Sequence, residues 1–216
     1  MRLDVFTLIP GAFAWLLERR PVAAVLGTEL ELRILNYRDT TPLSAGQVDD
    51  EPYGGGPGMV LRVDVVAAAF DAVYGGVAAH RVVALAPTGR QLDQELVEEL
   101  AAEPALTVLS ARFEGFDQRI LDHLCTDVVS IGPYVLSGGE IPALAVVDAV
   151  VRRLPGALTE GSGELESFSA ALDGGLEYPH YTRPAEFRGW EVPEILLSGD
   201  HGRIDAWRRE RVRSVT

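Results

Sequence analysis

Residues 128–140 read Val128-Val129-Ser130-Ile131-Gly132-Pro133-Tyr134-Val135-Leu136-Ser137-Gly138-Gly139-Glu140, a short β-branched run that breaks into a loop bearing three glycines and a proline. Such a run is a buried strand, and such a break is where it turns out of the sheet. The pattern occurs twice upstream. Residues 82–86 run into Pro87-Thr88-Gly89-Arg90, and 106–110 run into Arg112-Phe113-Glu114-Gly115. Helical spacing fills the gaps, most clearly over 94–102. Strands alternating with helices predict an α/β fold, a mainly parallel sheet with helices on both faces. Ligands of such sheets sit beyond the carboxyl ends of the strands, so the three loops are expected to converge on one pocket.

Further strands are expected at 2–9, closed by Pro10-Gly11, and around Leu30, Leu32 and Ile34, which alternate with polar residues. Helices are expected at 13–19, 63–73 and 141–154, the last stopping before Pro155-Gly156. Residues 40–58 have no hydrophobic period and are full of turn formers, with Gly54, Gly55, Gly56 and Gly58 between Pro52 and Met59. Such a loop brings backbone amides close to a ligand, yet lacks the Gly-Lys-Ser/Thr of a nucleoside-triphosphate loop and, taken alone, reads as a turn. The expected organisation is a cofactor-sized α/β domain over 1–155, a linker over 156–167, and a small helical domain over 168–216.

The 216 residues, 47% of them hydrophobic, suffice for one domain and an appendage. No apolar run is long enough to span a membrane and residues 1–13 lack the pattern of a signal peptide, so a cytoplasmic protein is expected. Cys125 is the lone cysteine, and all 19 basic residues are arginine. That excludes a disulfide framework, a multi-cysteine zinc site and any catalytic lysine. A net charge of −13 excludes holding nucleic acid by bulk electrostatics. The concentrated basic stretch, Arg203 to Arg213 around Trp207, reads equally as a solvated helix face or a local RNA contact. Arg112 to Arg119 reads as surface ion pairs or as aromatics flanking a planar base. Arg152 lies four residues after Asp148, the spacing of a helical ion pair. Tyr178-Pro179-His180-Tyr181-Thr182-Arg183-Pro184 is a proline-bracketed turn or recognition loop.

Together, VDDEPYGGGPGM, LAPTGRQLDQ, ARFEGFDQR, SIGPYVLSGGE, ESF, YPHYTRP and VPEILLSGDHGRIDAWRRERVRS resemble, in order and across nearly the whole chain, the bacterial tRNA (guanine-37-N1)-methyltransferases of the knotted SPOUT superfamily. That resemblance implies a trefoil knot formed by the loops after the strands, against the usual preference for unknotted chains. It implies S-adenosylmethionine bound in the knot by Leu85, Pro87, Gly89, Gly115, Ser130, Ile131, Gly132, Tyr134, Leu136, Gly138 and Gly139. It implies a homodimer with active sites at the interface, a tRNA anticodon stem-loop as partner and no membrane. Catalytic roles would fall on Glu166, Arg152 and Glu114, and substrate contacts on Asp50, His180 and Arg208. Magnesium is associated with the reaction in the family, though the sequence itself shows no metal site.

The chain departs from the family pattern in four places. Glu166 stands where an Asp base is usual, with Glu164 as the alternative carboxylate. Ala111 stands in place of a glycine, at a cost on the order of 1–2 kcal/mol if that backbone has positive φ. Pro133 replaces a common Asp, and relatives typically continue with a further basic segment beyond residue 216. These departures leave two other readings: a cofactor- or RNA-binding paralogue without catalysis, and a methyltransferase acting on another RNA.

Overall fold

The computed structural model describes residues 1–163 and 165–214. Two compact units divide between Leu158 and Thr159. In the first unit, β1 (Arg2–Thr7) leads through a 3-10 turn into the short helices α1 (Ala14–Leu17) and α2 (Val22–Val25). β2 (Glu31–Asn36), β3 (Asp49–Asp50), β4 (Val60–Leu61) and α3 (Val63–Tyr74) follow. Then come β5 (Arg81–Gln91), α4 (Gln94–Ala101), β6 (Ala105–Leu109), α5 (Gln118–His123), β7 (Asp127–Ser130) and α6 (Glu140–Val151). The main sheet is parallel throughout, in the order β2-β1-β6-β5-β7.

The period of two along each strand feeds both faces of this sheet. Leu3, Val5, Val83, Leu85, Leu106 and Val108 pack with residues of α1, α2, α4 and α6. Phe6, Val82, Ala84 and Leu109 pack with residues of α3 and α5 on the opposite face. Asp4, fully buried among them, is satisfied by Arg33, whose Nε and Nη2 each donate at 2.6 Å, and by the Tyr74 hydroxyl at 2.8 Å. Asp93 caps α4 by accepting from Leu96 N–H at 2.8 Å, and Gly75 ends α3 in the left-handed conformation.

Three expectations are corrected. The strand expected at 82–86 extends to Gln91. β5 pairs β7 at Val83 to Leu85, bulges, and pairs it again at Arg90 and Gln91, polar residues that carry no hydrophobic signal. The irregular stretch 40–58 contains a strand, because Asp49 and Asp50 pair antiparallel with Leu61 and Val60 and turn the glycines into the tip of a ribbon. The linker begins later than 156, since Ala157 is fully buried in the first unit's core.

Gly89 lies where β5 returns to β7. A Cβ there would stand 2.5 Å from the backbone C and O of Val128 and N of Val129, atoms that cannot swing aside. Gly89→Ala is therefore expected to cost about 1–3 kcal/mol. A thermal melt should show Tm falling by roughly 2–10 °C for a chain of this size. An unchanged Tm would mean that the two strands part freely.

The second unit holds the hairpin β8 (Glu186–Phe187) and β9 (Trp190–Glu191), then α7 (Glu194–Leu197) and α8 (His201–Arg209). It is less helical than the expectation for 168–216. Pro179, Pro184 and Pro193 lack the N–H a helix needs, and Gly174, Gly189 and Gly199 take positive φ, so α8 is the one long helical run among its described residues. Asp200 caps it, accepting from Arg203 N–H at 3.1 Å.

Candidate active site

Beside the bulge of β5 and beyond the carboxyl ends of β6 and β7 lies a cavity of 420 Å³, walled by that bulge, by the loops after β6 and β7 and by Pro142 of α6. That volume is in the range of small-molecule sites, about 300–1,000 Å³. Leu85, Pro87, Gly115, Ser130, Ile131, Gly132, Tyr134, Leu136, Gly138 and Gly139 all line it. Gly89 does not; it serves the strand contact described above. Thr88, Arg112, Phe113 and Val135, which the sequence placed in the converging loops without naming them as cofactor contacts, line it too, as does Phe116 of the aromatic stretch. Pro142, in the helix after the last loop, is the wall residue that the sequence reading missed.

The walls close through groups of their own. Gly139 N–H donates to Ala111 O at 2.6 Å, joining the β7 loop to the β6 loop. A Cβ on Gly139 would meet Ala111 N at 2.8 Å, and one on Gly138 would meet Glu140 Oε2 at 2.6 Å, so only glycine passes here without displacement. The Tyr134 hydroxyl donates to Ile131 O at 3.2 Å, folding the β7 loop on itself. Among the described residues, Arg112 and Glu114 are the charged side chains on the wall. Arg112 Nη1 donates to Glu140 Oε2 at 3.2 Å. Glu140, buried at the first turn of α6, also accepts from the Thr7 hydroxyl at 3.2 Å. A carboxylate at a helix N-terminus is favoured by the aligned peptide dipoles, which fixes this anchor for Arg112.

Ala111 is not a positive-φ position, so the expected penalty for replacing glycine does not arise there. The left-handed residues of this loop are Phe113 (φ 63°) and Gly115 (φ 107°). Glu114 N–H donates to Met59 O at 2.9 Å, and Leu61 N–H to Gly115 O at 3.0 Å, so the glycine ribbon and the β6 loop form one wall. A Cβ on Gly58 would fall on the Glu114 side chain. Asp50, at the ribbon's base and outside the cavity lining, accepts from Arg62 Nη1 at 2.7 Å. The same guanidinium holds the Asp64 carboxyl below the usual carboxylate range.

Arg152 caps the far end of α6, its N–H donating to Asp148 O at 3.1 Å. Pro142 is the cavity residue furthest along that helix. Ten further residues at 1.5 Å rise put Arg152 about 15 Å away, beyond the reach of an arginine side chain. Within one chain, Arg152 and the cavity are therefore separate.

Three named residues belong to the second unit. Glu166 starts a turn, its carbonyl accepting from Ser169 N–H at 3.1 Å, and the next hydroxyl, Ser167 Oγ, accepts from Glu177 N–H at 3.0 Å. Glu166 is thus tied into this unit's fold and is no free tether. His180 and Arg208 both contact Tyr178, with ring centroids 5.0 Å apart for the first and the guanidinium carbon 5.1 Å from the tyrosine ring for the second. Glu164 lies outside the described residues.

The family model described as tRNA (Guanine-1)-methyltransferase TrmD matches residues 1–216. The chain belongs to the TrmD family. A protein of Brevibacillus brevis named tRNA (guanine-N(1)-)-methyltransferase is 48% identical over 212 residues, covering 96% of this chain and 85% of that protein. Relatives with the same name are 48% identical in Exiguobacterium sibiricum, over 98% of this chain and 86% of the relative, and 49% identical in Rhodopseudomonas palustris, over 100% and 85%. Among the described residues of this TrmD-family chain, no helix is long and apolar enough to cross a membrane. Among the same described residues, no group of three or more His, Cys, Asp or Glu side chains is gathered as a metal would require.

Proposed function

We propose that this chain transfers the methyl group of S-adenosylmethionine to N1 of guanine 37 in tRNA, working in the cytoplasm as a homodimer. The observation that carries the reading is the convergence of ten cofactor positions, drawn from three separate loops, on one cavity at the sheet's outlet. The cavity fits the donor. It is shaped by glycines that a side chain would fill, and its wall offers one cation and one carboxylate toward a zwitterionic amino-acid end. When bound, the donor supplies an electrophilic methyl on a sulfonium.

The chain's residues do the rest. Guanine N1 must lose its proton before its lone pair can attack. The Glu166 carboxylate accepts that proton, and the freed N1 lone pair would take the methyl that the bound donor supplies, leaving the donor's sulfur as a neutral thioether. Arg152 stands beside O6 and stabilises the negative charge that develops there. Glu114 and Asp50, joined through the ribbon, face the guanine and its neighbour, while His180 and Arg208 grip the anticodon stem-loop. The loops hold nucleophile, methyl and leaving group in line.

The separation of Arg152 from its own chain's cavity supports the homodimer, because a second copy brings the two together. The double pairing of β5 with β7, and the return of the β7 loop to Ala111, support the trefoil knot. Residues 168–216 act as the tRNA-contacting domain, joined to the first unit through the linker that follows Leu158. Magnesium finds no gathered set of side-chain ligands among the described residues, and no step here runs through it.

The test is methyl transfer from labelled donor to a tRNA transcript with guanine at 36 and 37, mapped by primer extension. A block at nucleotide 37, absent when that guanine is replaced by adenine, is the expected result. Methylation that persists elsewhere after the swap would assign another RNA site, and donor binding with no transfer would make the chain a non-catalytic paralogue.

A further inference from the structure

The second unit carries an arrangement that the role given to His180 and Arg208 does not explain. These two residues come from different elements, yet both rest on one ring. Tyr178 is only 8% exposed, whereas the side chains of His180 and Arg208 are 63% and 40% exposed. A buried aromatic beneath two exposed cationic or cationisable groups is a support, with its negative face under the guanidinium. The elements are also locked in register at their other ends. Leu176 N–H donates to Arg213 O at 2.8 Å and Arg213 N–H to Leu176 O at 3.1 Å. A Cβ on Gly175 would stand 2.8 Å from Val212 Cγ1 and 3.0 Å from Arg213 O, so the two chain segments pass in contact.

We propose that Tyr178 is a positioning residue that makes His180 and Arg208 a single preformed RNA-facing group. His180 also faces Glu177 at 3.3 Å and Arg208 faces Asp205 at 3.4 Å. Those carboxylates hold each group near its place until a phosphate replaces them. Arg211, by contrast, stacks on Trp207 at 4.1 Å and donates to Trp207 O at 3.1 Å, which commits it to the helix end. Arg208 is thus the tail arginine that the aromatic support aims outward.

This inference rests on the proposed tRNA substrate, so the test reads RNA binding separately from methyl transfer. Tyr178→Leu, which fills the space without an aromatic face, is expected to raise Kd for the anticodon stem-loop about five- to tenfold. The loss should fall on KM for tRNA and not on kcat, with donor affinity unchanged and Tyr178→Phe restoring binding. In a mutant cycle, Tyr178→Leu added to a protein already carrying both His180→Ala and Arg208→Ala should cost little further. Multiplicative effects, or a Tyr178→Leu protein with normal RNA affinity, would overturn the proposal. RNA binding that follows this pattern without any methyl transfer would uphold it while the proposed function failed.

Discussion

Replacing Glu166 by glutamine is expected to lower methyl transfer by about 10²–10⁴-fold, the contribution of a positioned general base. Glutamine keeps the shape and the hydrogen-bonding reach but cannot take the proton from guanine N1. The residue belongs to the second unit, while the cofactor cavity belongs to the first, so donor binding measured by calorimetry should be unchanged. Glutamate is one methylene longer than the aspartate usual at this point in the family. The backbone turn from Glu166 to Ser169 and the Ser167 contact with Glu177 set where that longer side chain begins. Full activity in the variant would assign the proton to another carboxylate, with Glu164 the first to replace.

Arg152→Ala is expected to reduce kcat by about 10²–10³-fold, comparable to losing one donor aimed at a developing oxyanion. The substitution acts on the transition state, so KM for tRNA should change far less than kcat. Its position makes a sharper statement possible. Since Arg152 lies about 15 Å along α6 from the nearest cavity residue, a chain cannot bring it to its own pocket. Mixed dimers of Arg152→Ala with a chain whose cavity wall is disrupted by Gly138→Val should regain up to half of one wild-type site pair. A Cβ at Gly138 already meets Glu140 Oε2 at 2.6 Å and Arg112 Nη1 at 2.9 Å, so the valine displaces the ion pair of the wall. Mixed dimers as inactive as either parent would place Arg152 and the cavity in the same chain and contradict the interface site.

The sheet was legible in the sequence because its strands are buried on both faces and read as apolar runs. The loops were legible because glycine and proline mark the strand ends. Less visible were elements held by polar backbone. The second pairing of β5 uses Arg90 and Gln91, and the ribbon of β3 and β4 uses Asp49 and Asp50, none of which carries hydrophobic periodicity. The second unit was overread as helical, because Pro179, Pro184 and Pro193 interrupt the chain before α8. Of the cofactor positions implied by the family pattern, ten proved to line the cavity. Gly89 did not, because a glycine needed for strand contact and one needed for a ligand look the same in a sequence. Tyr178 was seen only as part of a motif; its burial beneath His180 and Arg208 is a tertiary fact.

The most direct measurement is a crystal structure of the chain with S-adenosylmethionine. The account predicts the donor inside the 420 Å³ cavity, in contact with the backbone of the β5 bulge and of the loops that follow β6 and β7, with its methyl facing the side from which a partner's residues approach. A saturated crystal in which side chains such as Phe113 and Tyr134 fill that space, with the donor bound elsewhere, would contradict it.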